Sequence, residues 1–297
     1  MQNFGKAFPY ILLTAVCFGT MEVALKLGGS HFDSIQLTFL RFLIGGVLMI
    51  PFAVRDLKKR GHRLSGGDLL YLLLLGIVCV CLSMTVFQIG VMQTNASLAA
   101  LVISVNPIFT MLFAHFLANE RFTPRKLLVL LICLGGLAVA AGPEKLSGGN
   151  SLKGILIVLA GAVAFGLYTA MGKRRIAVIG GWAQNCVSFL FGCGALLVYL
   201  LAAGHPVFKG ITLETIPLLA YLGVVVTGIG YIAFLKAVAV GGASCASVAF
   251  FIKPLVAMAA AYLLLDEAIT GFMLTGAAMV IAGFIINLLP ARSRKAA

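Results

Sequence analysis

The chain carries two copies of one unit set 147 residues apart. Asn95-Ala96-Ser97 falls on Gly242-Ala243-Ser244, Pro107 on Pro254, Glu120 on Glu267 and Pro143 on Pro290, all without a gap. The register holds upstream, where Phe18-Gly19 maps on Phe165-Gly166, Phe42 on Phe189, Gly76 on Gly223 and Phe87 on Phe234. Self-similarity at a fixed offset is the mark of a repeat architecture. In a chain this apolar, it points to a membrane protein assembled from internal repeats.

Hydrophobic residues make up 61% of the 297 and charged residues 10%, against roughly 45–50% and about 25% in ordinary soluble domains. A soluble chain of this size could not hide so much apolar surface, so the expected solvent is lipid. Segments long enough to cross it as helices are 8–27, 34–53, 68–91, 97–118, 124–142, 152–173, 181–202, 214–238, 244–265 and 270–290. The first is too long for a signal-peptide core, lacks a small-x-small cleavage site and carries Glu22 and Lys26, so it reads as a retained span.

The formal charge of +13 invites a nucleic-acid reading, which the placement of the charges rejects. With the N-terminus inside, inner segments hold fifteen basic residues: Lys6, Arg55, Lys58, Lys59, Arg60, Arg63, Arg121, Arg125, Lys126, Lys173, Arg174, Arg175, Arg292, Arg294 and Lys295. Outer loops hold three, Lys145, Lys153 and Lys209. This positive-inside bias predicts cytoplasmic N- and C-termini in a multi-pass protein. All seven cysteines fall inside predicted spans and read as small apolar residues.

The predicted fold class is therefore all-α: ten transmembrane helices as two inverted five-helix repeats, 1–147 and 148–297. Five is odd, so the second copy enters from the opposite face, and two like halves can exchange the roles of inner and outer gate. Many of the 34 glycines lie within spans, where small residues let helix backbones approach.

Four basic residues and one clear acid remain inside spans: Lys26, Arg41, Lys236, Lys253 and Glu22. Lys26 and Lys236 lie close to helix ends, where snorkelling to the interface accounts for them. Glu22 lies about five residues (~7–8 Å) and Arg41 about seven residues (~10 Å) in from a helix end. Lys253 is near the midplane, where snorkelling is hardest. These three are candidates for substrate binding. The competing reading is a structural ion pair of Glu22 with Lys26 at i+4 or with Arg41 on helix 2.

Pro107 and Pro254 remove a backbone hydrogen bond in mid-helix, at Ile103 and Phe250. Asn106 and Lys253 stand just before them at equivalent positions, which suggests a kinked midplane site; a packing kink is the alternative. Glu120 and Glu267 end helices 4 and 9 ahead of Thr123-Pro124 and Thr270-Gly271, and read as structural acids favouring the positive end of the next helix. Gln88, Tyr168, Asn185 and Tyr231 are polar groups within spans that line a cavity or bond between helices. Trp182 reads as an interface anchor. His115 is the one histidine within a span, and proton coupling through it is conceivable. No nucleophile–base set, P-loop or metal-ligand cluster is visible, so no catalytic residue, metal or cofactor is expected.

The ten helices, the five-plus-five duplication, Leu40-Arg41-Phe42 in helix 2 and Pro107…Glu120 echoed by Pro254…Glu267 resemble the drug/metabolite transporter superfamily, and more narrowly its EamA-type branch. The resemblance implies a cytoplasmic (inner) membrane protein that exports or exchanges small metabolites, commonly amino acids. It also implies a central cavity between the halves, with helices 5 and 10 peripheral. Glu22 deep in helix 1 and Lys253 beside the helix 9 proline depart from many relatives. The expectation is a secondary transporter of small polar or zwitterionic metabolites working by alternating access, with Arg41 and Lys253 holding a carboxylate and Glu22 an ammonium. Export of organic cations or drugs through Glu22, or lipid handling, is the alternative. Its partners would be a small-molecule substrate and membrane lipid, with proton coupling and a homodimer left open.

Overall fold

The computed structural model describes residues 4–118, 123–142, 151–241, 246 and 248–288. Every regular element among them is helical. Eight helices are long and apolar enough to cross a membrane: α1 (Phe4–Gly28), α2 (Ser34–Arg60), α3 (Gly66–Val91), α4 (Ala96–Leu117), α5 (Pro124–Ala141), α6 (Leu152–Lys173), α7 (Gly181–Ala202) and α8 (Ile216–Gly241). Two shorter apolar helices follow, α9 (Ala249–Leu265) and α10 (Gly271–Ile286). Glu120, Pro143, Pro290 and Gly242-Ala243-Ser244 lie outside the described residues.

Local chemistry sets the helix ends. The Asp33 carboxylate accepts the amides of Ile35 and Gln36 and starts α2, and Gly61 in the left-handed region stops it. Ser65 and Asp68 form a reciprocal capping box at α3. Thr123 caps α5 ahead of Pro124, and Ser151 caps α6.

Large apolar side chains face outward, with Leu263 at 73% and Phe116 at 70% exposure, while Glu22, Arg41 and Lys253 are buried. Polarity is inverted relative to a water-soluble domain, as a lipid solvent requires. The chain is a multi-pass membrane protein.

The two repeats start at opposite rims. Where α1 finishes, Lys26 Nζ reaches the Thr94 carbonyl at the start of α4, and the Ser151 amide ahead of α6 bonds to Gln93. At the other rim, Arg175 pairs with Asp68, and Arg60 donates to the Ala177 carbonyl.

Equivalent residues meet across the centre. Phe42 of α2 packs edge-to-face on Phe189 of α7, its own repeat mate, with ring centroids 4.8 Å apart. The glycines show the same relation. A Cβ on Gly45 would stand 2.6 Å from Thr227 Cγ2, and a Cβ on its mate Gly192 would stand 2.6 Å from Val80 Cγ2. Thr227 is itself the mate of Val80. Both glycines are required because backbones on α2 and α7 pass too close to α8 and α3 for a side chain.

The sequence carries no sign of one feature: α3 and α8 each contain a π-wound stretch, Ile77–Met84 and Tyr221–Ile229. The hydroxyls of Thr85 and Thr227 each donate to the carbonyl five residues back, Val80 and Leu222, and hold these wider turns.

Candidate functional site

Glu22, Arg41 and Lys253 converge between the repeats. Gly19 lets α1 lie against α9: a Cβ there would stand 2.7 Å from Val256 Cβ and 3.0 Å from the Lys253 carbonyl oxygen. Its repeat mate Gly166 does the same against Phe109, the mate of Val256. Three residues on from Gly19, past the irregular residue Thr20, Glu22 Oε1 receives Lys253 Nζ at 2.7 Å. Glu22 is 0% exposed and Lys253 3%. The partner of Glu22 is therefore the lysine of the other repeat, not Lys26 one turn along or Arg41 as the structural reading expected.

Arg41 is 1% exposed. Its Nη1 reaches Met21 Sδ at 3.4 Å, and its guanidinium carbon stands 4.7 Å from the centroid of the Phe42 ring. Glu22, Tyr231, Cys79 and Cys193 lie within its electrostatic reach. Arg41 Nε and Nη2, together with Glu22 Oε2, are buried with no hydrogen-bond partner. A buried polar atom left unbonded is costly and uncommon in folded proteins. Here two donors and one acceptor coincide in one charged cluster.

The remaining polar candidates are used unevenly. Tyr168 Oη donates to Asn185 Oδ1 at 2.9 Å, so these two bond to each other. Gln88 Nε2 donates to the Leu25 carbonyl at 3.3 Å, while its Oε1 has no partner. Thr110 Oγ1 donates to Asn106 Oδ1 at 3.1 Å. Tyr231 packs edge-on against Phe18 and Phe189.

The two proline sites differ. In α4 the helix is interrupted at Val105, between Ala96–Ser104 and Asn106–Ala118, next to Pro107. In α9 the helix runs on through Pro254, so the two proline sites do not share an interruption as their equivalent positions suggested. The missing amide there leaves a single gap in the ladder.

Lys26 does not snorkel. Its Nζ stands 3.2 Å from Glu267 Oε1 and 2.8 Å from the Thr94 carbonyl. Glu267 also accepts the amides of Ala96 and Ser97, at 2.7 and 3.1 Å, and the Ser97 hydroxyl at 2.9 Å. Its carboxylate thus sits on the N-terminus of α4 in the other repeat, not at the start of the next helix as the sequence suggested. Asp266, the only non-glycine residue with positive φ among those described, turns the chain back after α9 to present it. Lys236 is exposed over the Tyr10 ring. Trp182 stacks on Phe52. Among the described residues no group of His, Cys, Asp and Glu could hold a metal ion.

A repeated helical bundle with lipid-facing leucines and an under-bonded charged centre defines a membrane protein of inverted-repeat type. The model of the EamA-like transporter family matches it twice, over residues 5–142 and 152–289. The chain belongs to that family and is a transporter. It is 38% identical over 288 residues to an uncharacterized transporter of Clostridium kluyveri, covering 95% of this chain and 93% of that one. It is 26% identical to a protein of Streptantibioticus cattleyicolor named a probable terminal-alkyne amino-acid exporter, over 96% and 94% of the two chains. It is 28% identical to one of Salmonella typhimurium named a probable amino-acid metabolite efflux pump, over 96% of each. A solved structure described only as the crystal structure of a protein aligns with TM-score 0.69 at 19% identity, covering 98% of this chain and 99% of that one. That likeness shows a shared fold.

Proposed function

We propose that the protein is a secondary transporter of small zwitterionic metabolites, amino acids above all, working by alternating access across the cytoplasmic membrane. In this reading α9 and α10 cross with the other eight helices, and the positive-inside bias keeps both termini cytoplasmic. The observation that carries the substrate class is the set of unbonded atoms at the centre: Glu22 Oε2 offers an acceptor and Arg41 Nε and Nη2 offer donors. An ammonium and a carboxylate held on one carbon match that set, and the planar guanidinium suits a carboxylate. Gln88, Asn106, Tyr168, Asn185 and Tyr231 would complete the walls, and Pro107 and Pro254 would ease bending as the gates exchange. The names of the Streptantibioticus and Salmonella relatives agree with this substrate class.

The test is counterflow in proteoliposomes with labelled amino acids, choline and a dicarboxylate. Saturable amino-acid exchange that disappears in Arg41→Ala, in protein that still folds, is the expected result. Movement of choline alone would transfer the assignment to organic cations held by Glu22.

A further inference from the structure

We propose that Lys26, Glu267 and the first turn of α4 form the latch of the outer gate, and that opening there parts the half-helix Ala96–Ser104 from Met21–Gly28 and from the end of α9. The inference rests on the alternating-access reading and the topology proposed above. It adds to them the bonds that must break and the parts that move.

The helices meet differently at the two heights. α1 lies on α8 and α9, and its repeat mate α6 lies on α3 and α4, the mates of α8 and α9. These two groups of three touch in the outer half. There Ala96–Ser104 packs on α9 and on Met21–Gly28. Past Val105 the inner half of α4, Asn106–Ala118, packs on α6 and α5 instead, and past Thr20 the inner half of α1, Phe4–Gly19, packs on α8 and α9. Hydrogen bonds divide the same way among the described residues. Glu267 accepts from Ala96 and Ser97, Lys26 donates to the Thr94 carbonyl and Gln88 to the Leu25 carbonyl, all in the outer half. At the inner rim, Arg175 with Asp68 and Tyr71 with Met171 join α6 to α3, which belong to one group. Groups bonded to each other in the outer half and turned apart in the inner half are closed to the outside, and turning them requires these bonds to break.

The clasp is built to be released. Asn95 makes no side-chain cap bond to α4, so the helix takes its cap from the other repeat, with Glu267 on the amides of Ala96 and Ser97 at 2.7 and 3.1 Å. Charge-assisted bonds of this kind are strong. The side chains of Glu267 and Lys26 keep 8% and 26% exposure, so water can replace each partner as the rim parts. Beneath them lies a small apolar plug of Val23 from α1, Ala96 from α4, and Ala260 and Ala261 from α9. Both helices that carry the donors are interrupted at mid-height, at Thr20 and Val105. Their repeat mates α6 and α9 run unbroken over Leu152–Lys173 and Ala249–Leu265. The first repeat thus supplies half-helices that can turn at the outer rim while the inner halves stay packed.

The experiment places a reporter in the plug of the full chain, Val23→Cys, at a position 1% exposed. A membrane-impermeant cationic methanethiosulfonate is applied to intact cells expressing it and to inside-out vesicles made from them, with the parent chain as background. The expected result is slow labelling from the outside, accelerated about tenfold or more when Glu267→Gln is added. Lys26→Gln, which removes one partner of the carboxylate and spares the α4 amides, should accelerate it less and serves where Glu267→Gln does not fold. Labelling that neither change accelerates overturns the inference, as does labelling from the inner side alone. In a second arm, Lys26→Cys and Glu267→Cys are bridged by a short bis-thiosulfonate. Bridging should stop amino-acid counterflow in proteoliposomes, and a reducing agent should restore it. Bridged protein that exchanges at the unbridged rate overturns the latch and leaves the zwitterion reading intact. The labelling needs no substrate, so it decides the inference even if no amino acid moves and the substrate reading falls.

Discussion

Two lysine–glutamate pairs join the α1 segment to the α9 segment, and they are bonded in opposite ways. At the rim, Glu267 accepts from Lys26, from two backbone amides and from a hydroxyl, and Lys26 also reaches the Thr94 carbonyl. At the centre, Glu22 has Lys253 on one oxygen and nothing on the other. Lys26 keeps 26% of its side chain exposed, whereas Lys253 keeps 3%. The rim pair thus has partners on both carboxylate oxygens, a second acceptor for its lysine and partial access to solvent, which is the arrangement of a structural clasp. The central pair lacks these, and a buried ion pair without further hydrogen bonds is a poor stabiliser. Retaining it makes sense where a ligand supplies the missing bonds.

The largest expected effect comes from Glu22→Gln. It leaves Lys253 buried without a counter-ion, which should cost about 3–5 kcal/mol and abolish counterflow. Adding Lys253→Met should restore most of the stability without restoring transport, since the two changes together remove the unpaired charge. Thermal unfolding of the purified variants alongside counterflow reads both quantities. A double variant that transports normally would show that the central pair is only a second clasp.

Arg41→Lys comes next. It keeps the charge but loses the planar fork, so affinity should fall by about tenfold or more, roughly 1.4 kcal/mol per decade, with stability little changed. The measurement is the half-saturation concentration in counterflow. Glu267→Gln should behave in the reverse manner. It weakens the clasp on α4 by about 1–3 kcal/mol and leaves the half-saturation concentration within about twofold of wild type. A tenfold loss of affinity in Glu267→Gln would erase the distinction between rim and centre.

How much of this was readable beforehand depends on whether the repeat carried it. Helix positions followed closely from apolar length: the expected 152–173 and 181–202 are Leu152–Lys173 and Gly181–Ala202. The second helix runs well beyond the expected 53, to Arg60, because basic side chains continue it outside the apolar stretch until Gly61 stops it. The three central charges were legible because an ionisable group in an apolar segment stands out one residue at a time. Their pairing was not, because it joins residues 22 and 253, and nothing local to either chooses between Lys26, Arg41 and Lys253. For the clasp the sequence does hold a signal. The offset of 147 carries Lys26 to Lys173, Ala96-Ser97 to Ala243-Ser244 and Glu120 to Glu267. Three residue types repeated together are a hint that they meet. The π-wound turns had no such signal, since Thr85 and Thr227 are ordinary residues whose hydroxyls happen to bond five residues back.

The smallest expected effect tests the rule behind the comparison, that unbonded atoms meet the substrate and bonded ones hold the scaffold. The Tyr168 hydroxyl already donates to Asn185, so by that rule its proton serves the packing of α6 against α7, and Tyr168 lines the site without giving that donor to a ligand. Tyr168→Phe should cost about 0.5–1.5 kcal/mol of stability and change the half-saturation concentration by less than about twofold. Gln88, whose Oε1 has no partner, should then be the more sensitive of the two: Gln88→Leu removes an acceptor that a bound ammonium could use, while Tyr168→Phe removes a donor already engaged. If counterflow ranks them the other way, bonding in this conformation does not report on substrate contact, and the case for Arg41 would have to stand on its charge alone.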